Sequence, residues 1–499
     1  MPAPNDGPLS ALEMSVVEQN AVALGVSIDA MMENAGRAVA EEVARRLPPP
    51  PARVVVLAGT GNNGGDGFAA AFYLAQWGYS PDVYLLRSPA EIRSPAARRC
   101  YDRLRGRVRL HVGPLPPGAL DGGTLLVDAM LGSGQAGSLR SPYREAADAL
   151  NAANVPVLAV DLPTGLGSPE AVRPRWTVAL AAVKEGVARS SAGEIVVRDI
   201  GIPAAAVLET GPGDFLVYPR ASPERGRWGR VAVVGGGPYS GAPALAALAA
   251  LRAGAERVTV VAPEPSATAI RSYSPNLVVR AVGSGSFSGE DAVPVATFLR
   301  NTPLHALVLG MGLGAEASAV EFAARVLGEL GPEVRTVVDA EALTAMRELG
   351  EDRRPKDAIA TPNLGEYQHR LGGHRELAPP ERLEEVAELA SRFGVTLLVK
   401  GELDLVSDGR RRAVNRHHPP AQAVAGAGDV LAGVLGGLLA RGVDTFLGGR
   451  LAAYWTGAAG YLAHERLGEG LAATDLVDAL GPALVAGLAR VRPSGAGPA

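Results

Sequence analysis

Residues 59–71 read GTGNNGGDGFAAA, directly after an apolar run and directly before a helical pattern. Glycines let the backbone turn tightly and aim successive N–H groups at one spot, and the helix that follows adds the positive end of its dipole, which together suit a phosphate. Asn62, Asn63 and Asp66 add amide and carboxylate oxygens that a plain G-x-G-x-x-G turn does not need. Two further apolar runs end in VDAMLGSGQAG, with Asp128, and VDLPTGLG, with Asp161 and Thr164. In an open α/β sheet such strand ends face one crevice, where ligands bind. Asn63, Asp128 and Thr164 would bring to it a set of hard oxygens that fits an alkali or alkaline-earth cation better than zinc. The second half of the chain carries AVAGAGDVLAG at 423–433, a small-residue loop entering a helix with Asp429 at its mouth. Helix-start N–H groups form an anion hole, and Asp429 stands where a base meets a reacting hydroxyl, an arrangement suited to phosphoryl transfer. Glycine-rich or polar turns at 233–243, 308–314, 360–367 and 397–404 each follow an apolar run, and the last contains Lys400. Together they describe a nucleotide site lying across a sheet edge.

The elements that must position these residues are legible from periodicity. A helix is expected over 30–47 with Asp29 as its candidate cap, stopped by the proline run at 48–51. Short apolar runs at 54–58, 83–86, 125–127, 157–160, 178–182 and 195–197 alternate with amphipathic stretches and read as buried parallel strands. Periodicity lapses over 211–228, and the boundary is placed there, giving domains 1–218 and 219–499. Alternation resumes at 231–234, 258–261, 306–309, 336–338 and 396–399, and the chain ends in Ala/Leu-rich helical patterns. The expected fold class is α/β, as two domains in tandem, consistent with 499 residues.

Composition narrows the function classes. With 48 basic and 52 acidic side chains and no basic tract, the chain has no field to collect nucleic acid. Cys100 stands alone, so neither a disulfide framework nor a cysteine-rich zinc site is expected, and a reducing cytoplasm fits. The N-terminal residues lack a secretory pattern, and the most apolar span, 424–440, contains Asp429, so no membrane segment is expected. Only Lys184, Lys356 and Lys400 are lysines among the 48 basic residues, so each invites a specific explanation.

MMENAGRAVAE at 31–41, GTGNNGGDG, VDAMLGSG and VDLPTGLG, in that order and spacing, resemble the NAD(P)H-hydrate epimerase family over about residues 10–210. The resemblance implies a Rossmann-like three-layer α/β/α domain in which Asn62, Asn63, Gly64, Gly65 and Asp66 hold a damaged dinucleotide. It assigns the same task to Gly132, Ser133, Gly134, Gln135, Ala136, Gly137 and Ser138, sets the catalytic Asp161 beside the altered nicotinamide, and puts potassium on Asn63, Asp128 and Thr164. Thr164 stands where the family usually has Ser, and Lys184 matches a family lysine although Glu185 replaces the usual Pro. The second half resembles the ADP-dependent NAD(P)H-hydrate dehydratases, a branch of the ribokinase-like α/β fold, over about 222–490. Carried over by motif, Ala242, Gly312, Asn363 and the catalytic Asp429 meet the hydrated dinucleotide, while Lys400, Gly401, Glu402, Leu403, Asp404 and Gly428 hold ADP, which brings Mg²⁺. Asn363, Met311 and Glu341 depart from the family's His, Pro and Asp. The implied activity is repair of hydrated NADH and NADPH by small-molecule chemistry in a cytoplasmic homo-oligomer. A ribokinase-like small-molecule kinase fused to a nucleotide-sensing domain is the alternative, and a non-catalytic binding protein a third reading.

Overall fold

The structure is a computed structural model, and it describes residues 7–121, 124–132, 137–187, 189–219, 224, 228–330 and 334–491. The chain forms two compact units, which divide between residues 203 and 204.

The N-terminal unit runs α1 (Ala11–Ala23), α2 (Ile28–Ala44), β1 (Arg53–Ala58), α3 (Asn62–Gln76), β2 (Ser80–Leu85), α4 (Pro95–Arg103), β3 (Arg109–Val112), β4 (Leu125–Ala129), α5 (Tyr143–Ala152), β5 (Val157–Val160), β6 (Trp176–Leu180), α6 (Arg189–Ala192) and β7 (Glu194–Arg198). All seven strands are parallel, in the order β3-β2-β1-β4-β5-β6-β7. The order reverses between β1 and β4, so the loops leaving these two strands diverge and open a crevice at their carboxyl ends. Val55, Leu57 and Leu126 face α5 on one side of the sheet, while Val56 and Ala129 face α3 on the other, giving three layers. The expected helix near residue 30 begins at Ile28, and its cap is Ser27, whose hydroxyl accepts the Ala30 N–H at 3.1 Å. Asp29 lies inside the first turn and pairs with Arg99 at 2.7 Å. Strand β3 is short and largely exposed, which is why it carries no apolar run.

The C-terminal unit runs α7 (Ala204–Leu208), β8 (Arg230–Val234), α8 (Gly241–Arg252), β9 (Arg257–Ala262), α9 (Glu264–Tyr273), β10 (Val278–Ala281), α10 (Ala292–Arg300), β11 (Ala306–Leu309), α11 (Ala317–Leu330), β12 (Arg335–Val338), α12 (Ala342–Glu348), β13 (Ala358–Ala360), α13 (Leu364–Leu371), α14 (Pro379–Phe393), β14 (Thr396–Val399), β15 (Asp404–Ser407), β16 (Arg412–Asn415), α15 (Ala427–Ala440), α16 (Thr445–Leu467) and α17 (Ala473–Val491). Its sheet has the order β10-β9-β8-β11-β12-β13-β14-β15-β16, parallel up to β14 and antiparallel over the last two pairings. Again the order reverses beside the first strand of the unit, between β8 and β11. One face of this sheet packs on α10, α11 and α14, where Phe322 stacks on Phe287 with centroids 4.1 Å apart. The other face receives α15, whose Gly436 sits against Val308 and Val231.

Residues 204–219 pack with the C-terminal unit although periodicity placed the boundary at 219. A buried ion pair is the physical reason: Asp214 accepts from Arg450 Nε at 2.7 Å, and Phe215 lies against Gly487 of α17. Irregular polar segments look like linkers in sequence, and only the partner 236 positions away shows that this one is buried.

Helix α15, which carries Asp429, packs tightly on α8. A β-carbon on Gly433 would lie 2.1 Å from the Ala246 carbonyl oxygen, and one on Gly437 would lie 2.5 Å from the Ala253 β-carbon. Gly433→Ala is therefore expected to overpack this contact and to cost about 1–3 kcal/mol, read as a lowered urea midpoint. An unchanged midpoint would show that the two helices separate freely.

Candidate functional site

In the N-terminal unit a cavity of about 700 Å³ opens over the carboxyl ends of β1, β4, β5 and β6. Its floor comes from Asn62, Asn63 and Asp66 of α3 and from the segment Met130–Leu131–Gly132, which are the two loops that diverge at the strand-order reversal. The expected glycine loop is the first turn of α3, which starts at Asn62 after Gly61 with no side-chain cap, so its leading N–H groups have no intrahelical acceptor. Gly64 and Gly65 lie behind the cavity wall. A β-carbon on Gly64 would lie 2.0 Å from the Gly59 carbonyl, and one on Gly65 2.7 Å from Met32 Sδ, so these glycines permit close packing of the helix. Ser133, Gly134, Gln135 and Ala136 lie outside the described residues; Gly132 lines the cavity, Gly137 an adjoining recess, and Ser138 is exposed.

Asp161 follows β5 in a left-handed conformation, φ 65°. Its Oδ1 accepts the Leu180 N–H at 3.1 Å and pairs with Lys184 Nζ, while Lys184 also donates to the Leu180 carbonyl at 2.6 Å. Among the described residues Asp161 Oδ2 has no hydrogen-bond partner, and Asp161 lines the cavity. Lys184 is only 4% exposed, so this ammonium is held by groups on β6 and at the end of β5 rather than by water. Asp66 is pushed well above the usual carboxylate range by burial first and then by Asp161 and Glu18, against the pull of Lys184. Burial also raises Glu18 of α1, with Lys184 opposing and Asp161 reinforcing it. Glu18 lines the same cavity and escapes sequence reasoning because α1 carries no recognisable motif.

The three candidate cation ligands are tied together through Leu131. Asn63 Nδ2 donates to the Leu131 carbonyl at 3.2 Å, and the Leu131 N–H donates to Thr164 Oγ1 at 3.0 Å. The Thr164 hydroxyl and N–H donate to the two Asp128 carboxylate oxygens at 2.7 and 2.8 Å. Burial pushes Asp128 up to about 6 in spite of those hydrogen bonds. Among the described residues Asn63 Oδ1 is buried without a hydrogen-bond partner, which is the observation expected of an oxygen that a cation would use.

In the C-terminal unit Lys400, after β14, donates to Asp339, after β12, at 3.0 and 3.3 Å. Burial alone would lower the Lys400 pKa, but Asp339, Glu366 and Asp429 outweigh it and raise the group overall. A β-carbon on Gly428 would lie 3.0 Å from Lys400 Nζ, so the ammonium sits directly beneath the first turn of α15. Gly426, in the left-handed region at φ 92°, caps that helix, and Asp429 lies in its first turn. Burial, then Asp339, pushes Asp429 up to about 7 against the pull of Lys400, with Glu366 and Glu341 adding to the rise. Asp339 escapes sequence reasoning as well: VVDAEAL draws attention to Glu341, which instead binds Arg370 at 3.1 Å.

Several other candidates have structural duties. Asn363 is the N-cap of α13, its Oδ1 accepting the Glu366 N–H at 3.0 Å while Glu366 accepts the Asn363 N–H at 2.9 Å. Asp404 accepts from Gly401 N–H at 3.2 Å and from Asn415 Nδ2 at 2.9 Å, fixing the turn after Lys400. Leu403 packs on the core, and Glu402 is exposed. Gly312, φ 72°, lets the 308–314 turn pass the Tyr239 carbonyl, which its β-carbon would meet at 2.3 Å. Ala242 lies in the first turn of α8, just beyond the turn that leaves β8.

The family models match both units: "YjeF-related protein N-terminus" over 28–186 and "NAD(P)H-hydrate dehydratase" over 231–482. The chain is 37% identical to the bifunctional NAD(P)H-hydrate repair enzyme of Methanothermobacter thermautotrophicus, with 95% of each chain covered. It belongs to this family of repair enzymes. The corresponding enzyme of Pyrobaculum aerophilum is 36% identical, covering 95% of this chain and 97% of its own. In fold, a hypothetical protein of Streptococcus mutans resembles 56% of this chain with 99% of its own, at TM-score 0.50 and 20% identity. The chain is thus α/β throughout, with a Rossmann-like parallel sheet followed by a second, mostly parallel sheet in the unit that matches the NAD(P)H-hydrate dehydratase family. Membership across both halves leaves the kinase alternative without an account of the N-terminal unit. Among the described residues, no helix is long and apolar enough to cross a membrane.

Because Lys400 and Asp339 are both largely buried, Asp339→Ala should leave an unpaired ammonium and lower stability by about 3–5 kcal/mol in urea unfolding. The double change Asp339→Leu with Lys400→Met should recover most of that loss. Equal loss in both variants would mean that the pair contributes through packing alone.

Proposed function

We propose that the N-terminal unit inverts C6 of hydrated NADH or NADPH, and that the C-terminal unit uses ADP to dehydrate the S epimer, releasing AMP and phosphate. The observation that carries this reading is that one family of bifunctional repair enzymes spans 95% of the chain, covering both charged sites. In the C-terminal site Asp429 takes the proton of the C6 hydroxyl as that oxygen attacks the β-phosphorus of ADP. Lys400 and the leading N–H groups of α15 balance the charge on the transferred group. Loss of phosphate from C6 and of a proton from C5 then restores the dihydronicotinamide. Among the described residues no three carboxylate or imidazole groups converge to cage a metal, so Mg²⁺ is expected to come in on the ADP phosphates.

In the N-terminal site Asp161 handles the proton of the C6 hydroxyl and balances the positive charge that develops on the ring. Potassium fits the oxygens of Asn63, Asp128 and Thr164, the orphaned Asn63 Oδ1 above all, and when bound supplies a fixed positive charge for the dinucleotide phosphates. The ring would lie in the cavity over Asp161, with the pyrophosphate toward the start of α3. Burial pushes the thiol of Cys100 up to about 11, which suits an unreactive residue of the core, and we place the protein in the cytoplasm as a homo-oligomer.

Purified protein supplied with hydrated NADH and ADP should restore the dihydronicotinamide absorbance, and no recovery would overturn the reading. A base is active when ionised, so kcat/KM for the S epimer should rise with pH through a midpoint near 7, the value to which Asp429 is pushed. Asp429→Asn should abolish both the rise and most turnover while ADP still binds; a retained rise would move the base elsewhere.

Asp161→Asn should slow conversion of R to S by about 10²-fold or more with dinucleotide binding nearly intact. Asp128→Ala should instead lose cation and ligand together, measured by calorimetry in potassium and in choline buffers. Wild-type epimerisation in Asp161→Asn, after subtracting the spontaneous rate, would remove Asp161 from the chemistry.

A further inference from the structure

Inverting C6 requires the oxygen to leave from one face of the ring and to return on the other. A single carboxylate reaches one face. The cavity is bounded on one side by the strand ends that carry Asp161 and Lys184, and on another by α1, which contributes Ala11, Met14, Ser15, Glu18 and Gln19. Glu18 is the carboxyl group of that second wall. Among the described residues it has no hydrogen-bond or ion-pair partner, in contrast to Glu13 on the same helix, which closes the capping box with Ser10. Its burial favours the neutral, proton-donating form. The groups that face it are Asp66 from α3, Asp161 from the end of β5 and Lys184 beyond β6. Lys184 is committed to Asp161 and the Leu180 carbonyl, which leaves Glu18 free to act on a ligand. Glu18 also lies outside the matched region 28–186.

We propose that Glu18, on the helix that lines the cavity together with Asp161, is the second acid–base group of the epimerase site and serves the ring face that Asp161 does not reach. The proposal rests on the epimerase reading above. In the R-to-S direction the C6–O bond breaks with its electron pair going to oxygen, which takes the Glu18 proton and departs as water. The N1 lone pair forms the C6=N1 bond of an iminium ion. A water molecule then adds to C6 from the Asp161 side, the C=N pair returns to N1, and Asp161 accepts the proton released as the new C6–O bond forms. Solvent carries that proton from Asp161 back to Glu18, so the product is an isomer of the substrate and no oxidant or reductant is consumed. The S-to-R direction exchanges the two roles.

The test uses the full chain, pure R epimer of hydrated NADH and ¹⁸O-labelled water. Glu18→Gln should lower kcat for R-to-S conversion by about 10²-fold while KM changes little, and should flatten the limb of the pH profile that reports the acid. Glu18→Asp should recover part of that loss, and wild-type product should carry ¹⁸O at C6. Dehydration of pure S epimer by Glu18→Gln should match wild type, which certifies the sample. Wild-type kcat in Glu18→Gln, a loss expressed only in KM, a loss that Asp66→Asn reproduces while Glu18→Gln does not, or conversion without label would each overturn the proposal. If the wild-type chain itself does not convert R to S, the epimerase reading falls instead, so the two failures are distinguishable.

Discussion

Two ammonium groups withdrawn from water organise both halves of this molecule. Lys184 lies against Asp161, and Lys400 against Asp339, each pairing formed where parallel strands end. Taking such charges out of water costs several kcal/mol per ion unless partner and hydrogen-bond geometry compensate. The geometry is supplied by parallel register: neighbouring strands finish level, so Asp161, Asp339 and Lys400 lie just past successive ends, and the turn after β6 folds Lys184 back onto the Leu180 carbonyl. In a chain that uses Arg almost everywhere, the third lysine, Lys356, is exposed and belongs to neither site. A compact ammonium fits beneath the first turn of α15 at a spot where Gly428 would have no room for even one more carbon at ordinary contact distance, and a planar guanidinium is far larger.

Each pair also divides the carboxylates around it into different roles. Asp339 faces Lys400 at hydrogen-bond distance, while burial first, and then Asp339 and the other neighbouring carboxylates, push Asp429 upward. The N-terminal cavity repeats the pattern, with Asp161 paired and with Asp66 and Glu18 raised. Raising a carboxyl in this way brings it toward the pH at which it exchanges protons readily.

Much of this is legible in the amino-acid sequence, for a physical reason. Buried parallel strands are short apolar runs, and the residues immediately after them must lie at one edge, so the order of residue types along the chain is enough to place Asn63, Asp128, Asp161, Thr164 and Lys400. What escapes are features set by partners distant in the chain. Glu18 is brought to the cavity by the docking of α1, and Asp339 shows its role only through Lys400 across two strands. Asn363 and Asp404 also carry local duties that residue type alone does not announce, a helix cap and a tight turn. Gly64 and Gly65 look like phosphate-loop glycines, whereas the approach of Met32 and of the Gly59 carbonyl sets their size.

The left-handed backbone at Asp161 sets local strain against ion pairing at a single residue. A side chain at φ 65° is tolerated by Asp and Asn, and glycine adopts that angle with less strain, by about 1–2 kcal/mol relative to an ordinary L-residue. Glycine at position 161 would relieve that strain but leave the buried Lys184 ammonium without its carboxylate, at a cost of about 3–5 kcal/mol, so a library screened for heat resistance alone would keep the acid. Selection for stability and selection for turnover therefore hold the same side chain in place, and the strain a stabilising screen could relieve lies instead at Ala181, φ 64°, which pairs with no charge.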